Sequence, residues 1–353
     1  MNGNGSSHGH RNSFTYVSQS LTYATYGNSI VAIVAGLLAN TVADRTELTP
    51  IGSSNLYRSG GYLAPFDVSI GALVVCGVLA LLLWEENYGS NDDDDDETTN
   101  NNQQQTSLPS TRYRRIINTL NGAWTTLLTD PKIILLGIIS SLFEGHMYIF
   151  VFFWTPALVE YAHNDNDNGN GGSSNYHDVP FGVIFSTFMI CTMMGSRLNM
   201  ILLERCQLQA ERVTIFVLGL AAACLAVMGG NHKKNSTAWL PYTAMNGFEL
   251  CVGMYYPLMG ILKGRLVPER HRAAIYNLFR IPLNAIVLVA LLNDFSVAQS
   301  FRYSAMFLTG AMGLQILLAR RMVEERTDQY DAYHAVMVDE EEDCDDEGRL
   351  ELS

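Results

Sequence analysis

The stretch Ile133–Tyr161, IILLGIISSLFEGHMYIFVFFWTPALVEY, is apolar enough to cross a membrane, yet it carries Glu144 near its middle. A carboxylate at that depth costs roughly 2.5–3.5 kcal/mol on insertion scales. Such a group normally faces protein or a water-filled path, so it marks a functional site by default. Working outward, similar apolar blocks occupy Phe14–Val42, Tyr62–Trp84, Phe181–Leu203, Val213–Gly229, Trp239–Leu262, Arg272–Leu292 and Phe301–Ala319. Each reaches roughly the 17–25 residues that a bilayer core requires. The pattern predicts an all-α, multi-pass membrane protein, a helical bundle with about eight transmembrane helices. A soluble protein with that many apolar blocks would need a very large helical core. Glycines recur inside the blocks (Gly71, Gly77, Gly195, Gly253, Gly260, Gly310, Gly313), and small residues let membrane helices approach closely.

Between the spans the chain is polar. Of 353 residues 48% are hydrophobic, and the net charge of −13 comes largely from two runs, Asp92–Glu97 and Asp339–Glu347. Runs of that kind are usually solvated and disordered. Neither has the spaced ligands and turn glycine of a calcium loop. The cysteines, Cys76, Cys191, Cys206, Cys224, Cys251 and Cys344, have neither zinc nor redox spacing and read as small core residues. The start, MNGNGSSHGHRNS, has no apolar region and does not read as a signal peptide. Thr111–Leu128 differs from the spans. Ile116, Ile117, Leu120, Trp124, Leu127 and Leu128 recur at helical spacing behind Arg112, Arg114 and Arg115, which predicts an amphipathic helix lying on the membrane surface. Lysine and arginine concentrate in alternate loops, which places both termini in the cytoplasm, with the sequon Asn235-Ser236-Thr237 outside.

Few strongly polar residues lie deep in the spans. Glu144 and Glu249 fall near the middles of the third and sixth. Arg197 and Arg280 lie nearer the cytoplasmic ends of the fourth and seventh, and Asn28, Asn246, Asn284 and His146 complete the set. An arginine in a wet cavity can hold an oxyanion through its planar fork. A carboxylate can take up and release a proton as a cavity alternates. The alternative reading is that the glutamates pair with Arg197, Arg280 or backbone groups and only fix helix packing, or that the arginines snorkel to the interface. Tyr255 and Tyr256, beside Pro257, would line a cavity if the proline makes the helix irregular, or simply pack. The chain has no Walker A loop, GxSxG, HExxH or metal-spaced Cys/His cluster. No enzyme, cofactor, metal or nucleic-acid partner is therefore expected.

Several segments go further. SLFEGHMYIFVFFWTPAL (Ser141–Leu158) resembles the signature of the molybdate-anion transporter family, a branch of the major facilitator superfamily. NSIVAIVAGLLANTVAD (Asn28–Asp44), APFD (Ala64–Asp67), WEENYG (Trp84–Gly89), FELCVGMYYPLMG (Phe248–Gly260) and VPERHRAAIYNLFRIPLN (Val267–Asn284) are similar to the same family, in the same order. The resemblance implies two six-helix halves with alternating access between them. It implies that the first span here matches the family's fifth, leaving four spans missing from the front. Glu144 and Glu249 then fall on two cavity-lining helices. By the same resemblance residues 14–89 end the N-terminal half, behind a disordered 1–13. Residues 90–130 form a cytoplasmic loop with the acidic insert and the amphipathic helix. Residues 131–321 are the six-helix C-terminal half, and 322–353 an acidic cytoplasmic tail. The expected function is uptake of molybdate, most simply across the cell membrane, with lipid as the surroundings and a partner chain if eight spans are all there is. The expected substrate or coupling residues are Glu144, Glu249, Arg280, Arg197, Asn284 and Tyr255. Two alternatives stay open: a carrier of another small solute, since fold does not fix substrate, and a non-transporting membrane scaffold.

Overall fold

The computed structural model describes residues 5–50, 58–84, 109–166, 180–230 and 239–350. Nine α-helices run in order through them: α1 Gly5–Arg45, α2 Ala64–Leu83, α3 Pro109–Thr129, α4 Pro131–Asn166, α5 Phe181–Glu204, α6 Ala210–Met228, α7 Trp239–Leu266, α8 Arg272–Leu292 and α9 Val297–Leu350. The described strands are two-residue pieces, β1 Thr49–Pro50 and β2 Arg58–Ser59, paired antiparallel. By length and composition α1, α2, α4, α5, α6, α8 and α9 contain the seven segments that are long and apolar enough to cross a membrane among the described residues. The protein is therefore a multi-pass helical membrane protein. The sixth expected span is also a helix, α7, but it does not join those seven. Asn246 and Glu249 lie in its middle and Lys263 and Arg265 in its last turn, where they dilute its apolar character.

Two regions expected to be disordered are helical. α1 begins at Gly5, well before the expected start at Phe14, and α9 continues through the acidic run to Leu350. The tail holds no proline, and its commonest residue, Glu, is a good helix former, so charge alone does not unfold it. The acidic insert 91–105 and the sequon 235–237 lie outside the described residues.

The chain divides into two compact units. The smaller comprises residues 30–119 and 180–186. Here the close approach of α1 to the start of α5 is set by glycine: a β-carbon on Gly36 would press on the Phe185 ring, and one on Gly182 on Asn40. α2 buries none of its apolar window, and Leu81, Leu82 and Leu83 are almost wholly exposed, as lipid-facing side chains would be. Its first turn is anchored by the Ser59 hydroxyl donating to Asp67 Oδ2 at 2.6 Å.

The larger unit holds α4 and α6–α9, the rest of α5, and the flanking segments. α4 packs on α7, α8 and α9, and α6 packs on α7 and α9. Its core is aromatic: Phe143, Phe150, Phe188, Phe248 and Phe301 are fully buried, with Phe150 and Phe248 ring centroids 4.8 Å apart. The Ser141 hydroxyl reaches the Phe279 carbonyl at 2.7 Å, joining α4 to α8. Of the glycines expected to bring helices together, Gly195 and Gly253 do so. A β-carbon on Gly195 would run into the Leu250 carbonyl, and one on Gly253 into the Thr192 carbonyl, so the backbones of α5 and α7 touch. Gly71, Gly77, Gly310 and Gly313 have nothing within 4 Å of such a carbon among the described residues.

One end of this unit is fastened by Glu211, in the first turn of α6 and 2% exposed. Its Oε1 accepts from Arg265 on α7 at 3.1 Å and from Arg326 on α9 at 2.9 Å. Both arginines are partly exposed and return to water when the carboxylate is lost, so the pair contributes less than a fully buried one. Glu211→Gln is expected to lower stability by about 1–2 kcal/mol. Thermal unfolding in detergent measures this, and an unchanged midpoint would show that the three helices do not depend on the charge.

Candidate functional site

The two glutamates predicted from depth alone occupy different surroundings. Glu144, on α4, is 22% exposed and meets a cation, Lys263 on α7, at 3.1 Å. Its Oε1 also accepts from the Ser140 hydroxyl at 2.8 Å and from the Tyr255 hydroxyl at 3.3 Å. Ser140 lies one turn before Glu144 on the same helix, the spacing at which side chains meet. Tyr255 is fully buried and stacks on Phe143, ring centroids 3.8 Å apart and planes 14° from parallel. The Lys263 ammonium lies 5.6 Å from the ring centroid of Tyr276 and 5.9 Å from that of Phe279, both on α8. Helices α4, α7 and α8 thus converge on one carboxylate–ammonium pair.

Glu249 is buried, and no ion pair to it occurs among the described residues. The Thr192 hydroxyl on α5 lies 3.1 Å from its Oε2. That hydroxyl is also 3.1 Å from the Phe188 carbonyl, and its one hydrogen serves a single acceptor at a time. Below it on the same face of α5, Ser196 and Asn199 are fully buried, with no hydrogen-bond partner for their side-chain atoms among the described residues. Glu249 therefore sits in a polar seam that the protein itself does not saturate.

The remaining predicted residues stand apart from both. Arg197 is exposed, its guanidinium 3.7 Å from the sulfur of Met200 on its own helix. Arg280 and Asn284 are exposed on α8. Among the described residues neither arginine pairs with either glutamate, which corrects the expected alternative of such a pairing. The cation beside Glu144 is Lys263, which sequence reasoning had counted only as a loop charge setting orientation. Pro257 lies inside an unbroken α7, so Tyr255 is held by packing rather than by a helix irregularity. Ser140, Thr192 and Lys263 were all missed. Lys263 lies two turns beyond Tyr255, and that spacing was the one signal that could have joined them. Among the described residues no group of three or more metal-ligating side chains comes together.

A half-buried acid–base pair, a buried carboxylate, and a bundle of apolar helices are the features of a membrane carrier interior. Residues 6–230 match the family described as sugar transporters, 12 TM, and the chain belongs to that major facilitator family. It is also similar to curated relatives. The molybdate-anion transporter of Xenopus tropicalis is 29% identical over 281 residues, covering 78% of this chain and 51% of the relative. That of Takifugu rubripes is 26% identical over 285 residues, with 78% and 53% covered. That of Danio rerio is 29% identical over 269 residues, with 74% and 50% covered. The chain spans about half the length of the curated relatives it matches.

Proposed function

We propose that the protein is a membrane transporter that takes up molybdate by alternating access. The observation that carries this reading is the likeness to relatives that are all named molybdate-anion transporters. The interior supports it: an anion path needs cationic and hydroxyl donors inside a bundle, and the Glu144 cluster supplies both. In this reading Glu144, Glu249 and Tyr255 shape the charge of the cavity, and Arg280, Arg197 and Asn284 add polar contacts along its exposed faces. The C-terminus is cytoplasmic and the protein resides in the cell membrane.

The test is uptake of labelled molybdate into vesicles holding the full-length protein. Saturable uptake, lowered by tungstate or sulfate and untouched by neutral sugars, is expected. A second reading, transport of a neutral sugar, is favoured by the description of the matched family. Competition by sugars with no effect of tungstate would establish it in place of molybdate. Solute binding without flux would favour a non-transporting membrane protein.

A further inference from the structure

We propose that Lys263 is a substrate-anion contact, and that Glu144 Oε1 occupies the place of a substrate oxygen when no anion is bound. This rests on the anion-transport reading above and deepens it.

Three donors converge on that one atom: the Ser140 hydroxyl at 2.8 Å, the Lys263 ammonium at 3.1 Å and the Tyr255 hydroxyl at 3.3 Å. Among the described residues the other carboxylate oxygen receives none. The three groups form a receptor for one negatively charged oxygen, whichever molecule supplies it.

The parts differ in freedom. Tyr255 is fully buried and stacked on Phe143, so its hydroxyl is fixed. Lys263 lies near the rings of Tyr276 and Phe279, which favour an ammonium without offering it a competing acceptor. Glu144 is 22% exposed and its carboxylate is the part able to swing aside. A tetrahedral oxyanion presents several equivalent oxygens, so one can enter the vacated position while the others face the path. Lysine suits a ligand that must leave again, because its ammonium is a compact charge with rotatable donors rather than a bidentate fork. Arg197 and Arg280 are exposed, and neither has such a receptor around it.

The experiment measures molybdate uptake kinetics in vesicles and, separately, molybdate binding by the purified full-length protein, with sodium chloride as the ionic control. Lys263→Gln is expected to raise KM for molybdate at least tenfold, and Lys263→Arg to retain part of the affinity. Glu144→Gln removes the resident competitor and is expected to lower KM several-fold. A pair that merely holds helices together predicts instead that both neutral variants weaken the protein alike and that their combination restores it. Opposite movements of KM support the inference. Movement in the same direction, or none, with wild-type uptake intact overturns it and leaves the transport reading standing. Wild-type binding without uptake, lost in Lys263→Gln, removes the transport reading and keeps the anion contact. A wild-type protein that neither binds nor transports molybdate overturns both.

Discussion

Gly253→Ala is expected to yield little folded protein. The added carbon would meet the backbone carbonyl of Thr192, and Gly195 faces the Leu250 carbonyl in the same way. Side chains can rotate away from an intruding methyl, but a backbone inside a helix cannot. The helices must part, and with them the contacts strung along their seam: Thr187 to the Tyr242 hydroxyl at 2.8 Å, Cys191 to Asn246 at 3.3 Å, and Thr192 to Glu249 at 3.1 Å. Overpacking a well-packed core costs about 1–3 kcal/mol and occasionally more. The loss here lies at or above the upper end, because membrane helices depend on close packing rather than on a hydrophobic driving force between them. The readout is the fraction of monodisperse protein after extraction. Gly71→Ala on α2, where nothing lies within 4 Å of the new carbon, is the control and should behave as wild type. A Gly253→Ala protein as well behaved as that control would mean the two backbones do not touch.

Glu249→Gln is expected to stabilise the protein and stop uptake. A buried carboxylate whose described donor is one shared hydroxyl carries a desolvation cost that this partner does not offset. Glutamine keeps the volume and can still accept from Thr192, but it carries no charge. A purely structural Glu249 would then be better replaced, with a gain of about 1 kcal/mol and no effect on uptake. Under the transport reading proposed above, so costly a group at the centre of α7 serves through its charge. The combined result, a higher unfolding midpoint with molybdate uptake lost, separates the two roles. A stabilised variant with wild-type uptake would remove Glu249 from the mechanism.

The carboxylates were legible in the sequence because a glutamate inside an apolar run stands out against its background. Their partners were not. Ser140 and Thr192 are ordinary in membrane helices, and only the pairing of α4 with α7, and of α5 with α7, gives them a role. Lys263 falls in the last turns of its helix, where a lysine is expected to reach the interface, so its inward turn cannot be read from position. Depth suggested Arg197 and Arg280 as cations for the glutamates, but depth does not fix which face of a helix meets which neighbour. Glu211 was hidden for the same reason: near a span end, an acidic residue looks solvated until α7 and α9 bring their arginines to it. The helical character of the spans followed from length and apolar composition, including α7, whose polar middle makes it the least membrane-like of them.

The touching backbones of α5 and α7 also have a mechanical meaning. Two helices with no room for a β-carbon between them cannot slide or roll independently, because either motion drives a carbonyl into the opposite chain. They behave as one beam, with Glu249 and Thr192 carried at fixed separation along it. Any rocking of the larger unit must therefore be taken up at its other helix contacts. Glu144, on α4, sits across one of those contacts, and its grip on Lys263 links the beam to the helix packed against it.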